Sequence, residues 1–314
     1  MKSHTILLLA TVNVIHLSLA AVANEPPTTA LAFAPGARHL IALSQSGIHI
    51  LSWPELNHQR TLQASASNLH CLAFSPDHRH FAVGGGAPSE DGVIDAFSWP
   101  NADPVARFEG HADAVRTVIW LDKVTLLSGS IDHEIKRWSL KDAPPSRALS
   151  TLRGHSRSVN AMCLIENGRL LVSTGSDQSL RIWEMTSGSL LRTLNQHTKP
   201  VTALSPQPIQ AGLPMVASAA RDRTIRFWQP TIGRMVRYIR LESEPLNLAW
   251  TSDGERILAA CVDGHLRIID PVGVTVTEDL SAIDGWAYAL AVHPEGHSVA
   301  IGGANGQIRR IEIP

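Results

Sequence analysis

The chain has 314 residues, 44% of them hydrophobic and 18% charged, with 27 Lys and Arg set against 28 Asp and Glu for a formal net charge of −1. That is enough apolar material for a large core, and the composition excludes a disordered tail. Balanced charge, with no basic run and no acidic block, also excludes nucleic acid and anionic membrane surfaces as main partners, because both demand Lys and Arg gathered on one face.

The first residues read as a separate unit. Lys2 supplies a weak positive start, Ile6 to Leu19 is mostly apolar, and Ala21-Val22-Ala23 offers a small-x-small cleavage site before Asn24. This predicts a secretory signal peptide over residues 1–23, a mature domain over residues 24–314, and a periplasmic or secreted protein with no integral membrane segment after cleavage. Asn13 and His16 interrupt the apolar stretch, which is too short for a comfortable transmembrane helix. In a rival reading, Thr11 to Leu19 alternates apolar with polar residues and is an edge strand kept in the fold. An uncleaved N-terminus leaves the protein in the cytoplasm.

From Thr28 onward, short runs with period-two alternation are separated by Gly, Pro, Asp and Ser, so the chain is all-β. The first unit is LAFAPGARHLIALSQSGIHILSW, ending at Trp53. The second is LAFSPDHRHFAVGGG, continued through Val93 to Trp99 around a glycine-rich surface insertion. Three strong copies follow: LLSGSIDHEIKRW, LVSTGSDQSLRIW and VASAARDRTIRFW. Their tryptophans, Trp138, Trp183 and Trp228, stand 45 residues apart, as do Ser128, Ser173 and Ser218, and Asp132, Asp177 and Asp222. A sixth unit carries Ile269 and a seventh Ile311 where the strong copies carry Trp.

A repeat at this period marks an array of units that cannot bury their apolar faces alone. In the third unit the four expected strands are residues 114–120, 124–130, 134–140 and 146–154, joined by short loops that make them antiparallel. Seven such sheets are best buried by closing into a ring, which protects the end faces. The expected fold is therefore a single β-propeller of seven four-stranded blades. The seventh unit ends after its third strand, so that blade is either three-stranded or completed from the leader.

Each strong copy also has a histidine ahead of its first strand: His111, His155 and His197. Asp suits a tight turn, the indole gives a broad apolar face with one N–H to satisfy, and Ser and His can link indole to carboxylate. Gly-His, then SGSxD or a variant, then a strand ending in Trp resembles the WD-repeat β-propellers, over essentially everything after the leader. The resemblance implies structural tetrads: His111, Ser128, Asp132 and Trp138; His155, Ser173, Asp177 and Trp183; and His197, Ser218, Asp222 and Trp228. The chain departs from the family where Trp is followed by Pro54, Pro100, Ser139, Glu184 or Gln229 rather than Asp, and in units one, two, six and seven, which lack complete tetrads.

A catalytic constellation is singular, whereas His, Ser and Asp recur here three times in equivalent places, which assigns them to structure. No zinc, haem or calcium motif occurs, so no metal and no cofactor is expected. Cys71, Cys163 and Cys261 lie in different units within apolar runs and read as buried free thiols. The resemblance implies a non-enzymatic scaffold that binds a partner protein or peptide, with Asp113, Arg157, Lys199, Arg221, Trp286 and Tyr288 near the binding rim. The alternative is a channel enzyme or ligand-binding protein using His70, Asn160, Asn247 and His293 from the innermost strands.

Overall fold

The computed structural model describes residues 25–141, 147–208 and 212–313. The predicted signal peptide and its rival edge strand lie outside the described residues. Seven antiparallel sheets follow one another along the chain, six with four strands and the last with three. Each is a simple meander. In blade three the strands are Val115–Trp120, Thr125–Ser130, Ile135–Ser139 and Ser150–Leu152, close to the expected limits.

The first strand of each sheet is innermost and packs against the first strands of its neighbours, blade seven meeting blade one to close the ring. Thr28 N–H donates to the Gly303 carbonyl at 2.9 Å across that closing seam. The result is a seven-bladed β-propeller.

Side chains divide by strand. Second strands, such as Leu170–Gly175 in blade four and Val216–Ala220 in blade five, are buried throughout. Fourth strands, such as Leu190–Leu194, are largely exposed. The core accordingly forms not one centre but seven apolar clusters, one in each seam between neighbouring blades. Trp138 belongs to the cluster shared with blade two, Trp183 to that shared with blade three and Trp228 to that shared with blade four. This is how a repeat that cannot bury itself is stabilised by its neighbour.

Strand register corrects one expectation. Trp138, Trp183 and Trp228 pair across the sheet with Leu126, Leu171 and Val216. The equivalent pairs in blades one and two are Leu51 with Leu40 and Phe97 with Phe81. Trp53 and Trp99 therefore stand two positions too late to be their counterparts, just beyond the third strands. Trp53 instead stacks on His293 and meets Phe33 edge-on, and Trp99 meets Phe74 edge-on.

The outer edge of blade seven, Ile308–Glu312, has no fourth strand among the described residues. A cleft of about 730 Å³ lies along it, bounded by His49, His58 and Thr61 of blade one and by Gln307, Ile308 and Arg309 of blade seven. None of the described helices is long and apolar enough to cross a membrane.

Candidate interaction face

The repeated polar residues come together inside blades three, four and five. Trp138 Nε1 donates to Ser128 Oγ at 2.7 Å, and His111 lies between Ser128 Oγ at 2.7 Å and Asp132 Oδ2 at 2.7 Å. The same chain runs from Trp183 through Ser173 and His155 to Asp177, and from Trp228 through Ser218 and His197 to Asp222. An indole can only donate, so the serine oxygen accepts from it and its own hydroxyl donates onward to histidine Nε2, leaving Nδ1–H to donate to the carboxylate. Every donor and acceptor in the chain is thereby satisfied.

Charge follows from this arrangement. Burial works to raise the Asp177 and Asp222 carboxyls, but the hydrogen bonds from His155 and His197, together with local N–H and hydroxyl donors, outweigh it and hold both well below the ordinary carboxylate value. Asp132 is lowered in the same way through His111. His197 is lowered chiefly by burial, against the opposing pull of Asp222. The serine oxygens have no exposure at all, since Ser128, Ser173 and Ser218 are each 0% exposed. Each serine oxygen is thus closed to solvent and engaged by both an indole and an imidazole.

Blade six achieves a related end with other residues. Ala259, Asp263 and Ile269 occupy the places of Ser, Asp and Trp, as the register shows. There Arg267, 4% exposed, donates to Asp263 at 2.7 Å and lies 3.2 Å from Asp279. The hydrogen bond to Asp263 contributes most to raising the guanidinium above its ordinary value, with Cys261 adding to it against the opposing effect of burial. An ion-paired cluster thus replaces the Trp–Ser–His–Asp chain.

The channel is built by a defect repeated in six blades. The innermost strands of blades two to seven each carry a β-bulge at their second residue, where pairing skips one position. The skipped residues are His70, Arg116, Asn160, Thr202, Leu246 and Tyr288. A bulged residue escapes the alternation of its strand and can be turned toward the axis. Several of these side chains tie one blade to the next: Asn160 Nδ2 donates to the Val201 carbonyl at 2.8 Å and Thr202 Oγ1 to the Pro245 carbonyl at 2.8 Å.

Of the four channel candidates read from sequence, Asn160 is engaged in that bond and Asn247 donates to the Tyr288 carbonyl at 3.2 Å. His293 is not in the channel. It follows the innermost strand of blade seven, where it is 9% exposed and stacked on Trp53. His70 remains, beside Arg116, whose Nη1 lies 3.3 Å from His70 Nδ1. Burial, and then the Arg116 charge, push the His70 imidazole down to about 4, so it is a neutral acceptor near pH 7. Arg116 and Thr202 are channel residues that the sequence alone does not single out. Their signal is positional: each follows the first apolar residue of an innermost strand.

The rim residues separate into two kinds. Asp113 is half-buried and its carboxylate is committed to the chain, accepting from Ser89 N–H at 2.9 Å and Ala114 N–H at 2.7 Å. It thereby fastens the glycine-rich insertion of blade two to the loop entering blade three. Arg157, Lys199 and Arg221 are exposed. Trp286 is 49% exposed, and its ring centroid lies 5.8 Å from that of Tyr288. Both sit where the loop from blade six enters blade seven, at the channel mouth. Among the described residues no three His, Cys, Asp or Glu gather where they could share a metal ion.

Comparison with known proteins agrees with this geometry. The family model described as WD domain, G-beta repeat matches residues 56–94, 102–139, 146–184 and 188–229, about half of the chain. Nuclear distribution protein nudF 1 of Talaromyces marneffei is 32% identical over 170 residues, covering 52% of this chain and 36% of that protein. The U3 small nucleolar RNA-associated protein 15 homolog of Gallus gallus is 24% identical over 265 residues, covering 84% of this chain and 49% of that protein. The aligned region thus spans between about a third and a half of these curated relatives. In the solved Crystal Structure of Mitotic Checkpoint Complex, one chain superposes with a TM-score of 0.84 at 19% identity, covering all of this chain and 96% of that one, which shows a shared fold. The last three matched segments each contain one complete buried Trp–Ser–His–Asp chain, and on that sequence and structural footing this protein is a member of the WD-repeat family.

Proposed function

We propose that this propeller is a non-enzymatic scaffold that holds a partner protein or peptide on the face where the loops entering each blade meet the loops between second and third strands. The observation that carries this reading is Trp286, half open to solvent beside Tyr288 at the channel mouth. A large aromatic side chain left exposed next to a second one is the type of group that anchors interfaces, because it buries much apolar area at little conformational cost. The repeated chemistry inside the blades is spent on holding the ring, and several bulge-position polar groups are tied to neighbouring backbone. Neither leaves a nucleophile beside a free base.

The test is Trp286→Ala in the full chain, with melting temperature and partner capture measured together. Retained melting with weakened capture supports the scaffold. An equal loss of both would place Trp286 in the fold rather than at an interface.

We also infer export from residues 1–23, on the strength of their apolar run and small-x-small end. The printed names of the relatives, nuclear distribution and nucleolar proteins, favour the cytoplasmic alternative instead. The mass of the N-terminal peptide decides: a start at Asn24 supports export, and a start at Met1 or Lys2 defeats it.

A further inference from the structure

Six of the seven seams are filled from outside by one apolar side chain of a fourth strand. Leu62, Phe108, Leu152, Leu194, Ile239 and Leu280 each pair with the third-strand residue three positions before the Trp place, and each packs into the cluster shared with the next blade. In blade seven that third-strand residue is Ile308, and no fourth strand stands beside it among the described residues. Ala42, Leu51, Leu56 and Ile308 of the seventh cluster instead line the cleft of about 730 Å³. Such a slot fits one branched or aromatic apolar side chain, carried on a strand whose N–H and C=O groups pair with the edge.

The charge beside the slot is specific as well. In blades four, five and six the next third-strand residue is an arginine, and the loop before it supplies an aspartate: Asp177 to Arg181, Asp222 to Arg226 and Asp263 to Arg267. Arg309 holds that place in blade seven, where Asn305 stands instead of the aspartate. Its carboxylate partner is Asp284, 84% exposed and 3.7 Å away. Blade six shows a second source of charge, since Asp279 of its fourth strand lies 3.2 Å from Arg267 and directly precedes Leu280. The other ionisable groups of the cleft are His49 and His58 on the blade-one side and Glu25 beside Gly306.

We propose that the outer edge of blade seven is a strand-acceptor site for an extended segment of a partner protein, which runs antiparallel to Ile308–Glu312 and places Leu, Ile or Phe opposite Ile308 and Asp or Glu opposite Arg309. The acidic residue comes first and the apolar one next, as in Asp279-Leu280. Main-chain pairing supplies affinity, and the slot and the guanidinium supply selectivity. This rests on the scaffold reading above and goes beyond it by adding a sheet edge to the loop face. The two are continuous, because Ala304 N–H donates to the Trp286 carbonyl at 2.9 Å. The chain's own leader fits the edge less well. Glu25 approaches Gly306 as His111, three residues after Phe108, approaches Gly92, so the sequence continued back from Glu25 offers Val22 and Ala21 for the two places. Residues 1–24 contain no Asp or Glu, and a start at Asn24 removes both candidates.

The experiment uses the full chain as the cell processes it and a fluorescein-labelled peptide copying residues 275–281, TVTEDLS. Fluorescence anisotropy measures binding, and hydrogen exchange of the protein locates it. The site predicts saturable binding with protection of the Ile308–Glu312 amides. Affinity should fall about tenfold or more for Leu280→Ser in the peptide and about fivefold for Asp279→Lys. Arg309→Glu in the protein should weaken the parent peptide and restore the Asp279→Lys peptide, a reversal that an unfolded variant cannot give.

Absence of binding, protection at blade six in place of blade seven, or an Arg309→Glu protein that keeps the parent's order of preference would overturn the site. Protection of Ile308–Glu312 before any peptide is added would assign the edge to the leader in a monomer and to a second copy in a dimer, and either result overturns the partner site. If the peptide fails to bind while Trp286→Ala still loses partner capture, the scaffold stands and the strand-acceptor site alone falls.

Discussion

Trp250 reaches back one blade and donates its indole N–H to the carbonyl of Ser205 at 3.0 Å. Trp120 does the same to the carbonyl of Ala73, also at 3.0 Å. Both residues end an innermost strand and are 5% exposed, so each binds its neighbour by packing and by one directional bond. The two contributions can be separated. Trp250→Phe keeps most of the apolar body and should cost about 1 to 3 kcal/mol, because it also leaves a buried carbonyl unsatisfied. Trp250→Ala should cost about 3 to 5 kcal/mol. Urea unfolding measures both: no loss in Trp250→Phe would mean that the bond contributes nothing, and equal losses in the two variants would mean that the packing adds nothing to the bond.

Ser173 lies at the centre of its hydrogen-bonded chain, accepting from Trp183 and facing His155 Nε2 at 2.8 Å. Ser173→Ala removes a small side chain yet strands a buried donor and a buried acceptor, so it should destabilise by about 2 kcal/mol or more. Trp183→Ala should cost about 3 to 5 kcal/mol and compromise the fold. If Ser173→Ala unfolds at the parent's urea midpoint, the chain is not a source of stability.

Three groups set the acid response. His70 is pushed down to about 4, and His197 and His49 are lowered as well, in each case chiefly by burial. In the unfolded chain these imidazoles take up protons near 6.5 that the folded protein refuses. Their stabilisation is therefore complete above 6.5 and is lost as pH falls toward 4. Asp132, Asp177 and Asp222, lowered from 3.8, add a second loss below that value. Urea midpoints should fall between pH 7.5 and 4.5, and less steeply in His70→Gln. A flat profile over that range would contradict the buried, neutral histidines.

Blade two meets blade three at Gly84, and blade three meets blade four at Gly129. A Cβ on Gly129 would stand 2.6 Å from Val159 Cγ1, and one on Gly84 would stand 2.8 Å from Val115 Cγ1. Gly129→Ala should therefore push the blades apart and cost about 1 to 3 kcal/mol. Differential scanning calorimetry reads this directly, and an unchanged melting point would show that the seam has slack.

The thiols should be inert in the folded state. Burial pushes Cys71 and Cys163 up to about 12 and Cys261 up to about 11. Thiolate is the reactive form, so Ellman's reagent should label none of the three until denaturant is added. Rapid labelling of one in native buffer would locate an opening in its blade.

The blades were legible in the sequence because their identity rests on features that survive without coordinates: a fixed period, turn residues and alternating apolar runs. The three Trp–Ser–His–Asp chains were legible for the same reason. Blades one and two were harder, since Trp53 and Trp99 mimic the repeat's tryptophan two positions beyond Leu51 and Phe97, and only strand register reveals the shift. Arg116 and Thr202 were not picked out, because a bulge moves one residue out of the strand's alternation, and their place after the first apolar residue of an innermost strand becomes a signal only once the register is known. Blade six hid its arginine cluster because its polar partners come from different strands than in the strong repeats.

Blade seven closes on blade one through the Thr28 to Gly303 hydrogen bond and the packing of Leu31, Leu40 and Ala42 against Ala289, Ala291 and Ala300. Mostly small alanines supply the blade-seven side of that contact, with Phe33 and Trp53 of blade one packed against it. The disc therefore has a latch, the joint between neighbouring blades that no described stretch of chain crosses. Unravelling should begin there and run inward from both ends, sparing blades three to five until last.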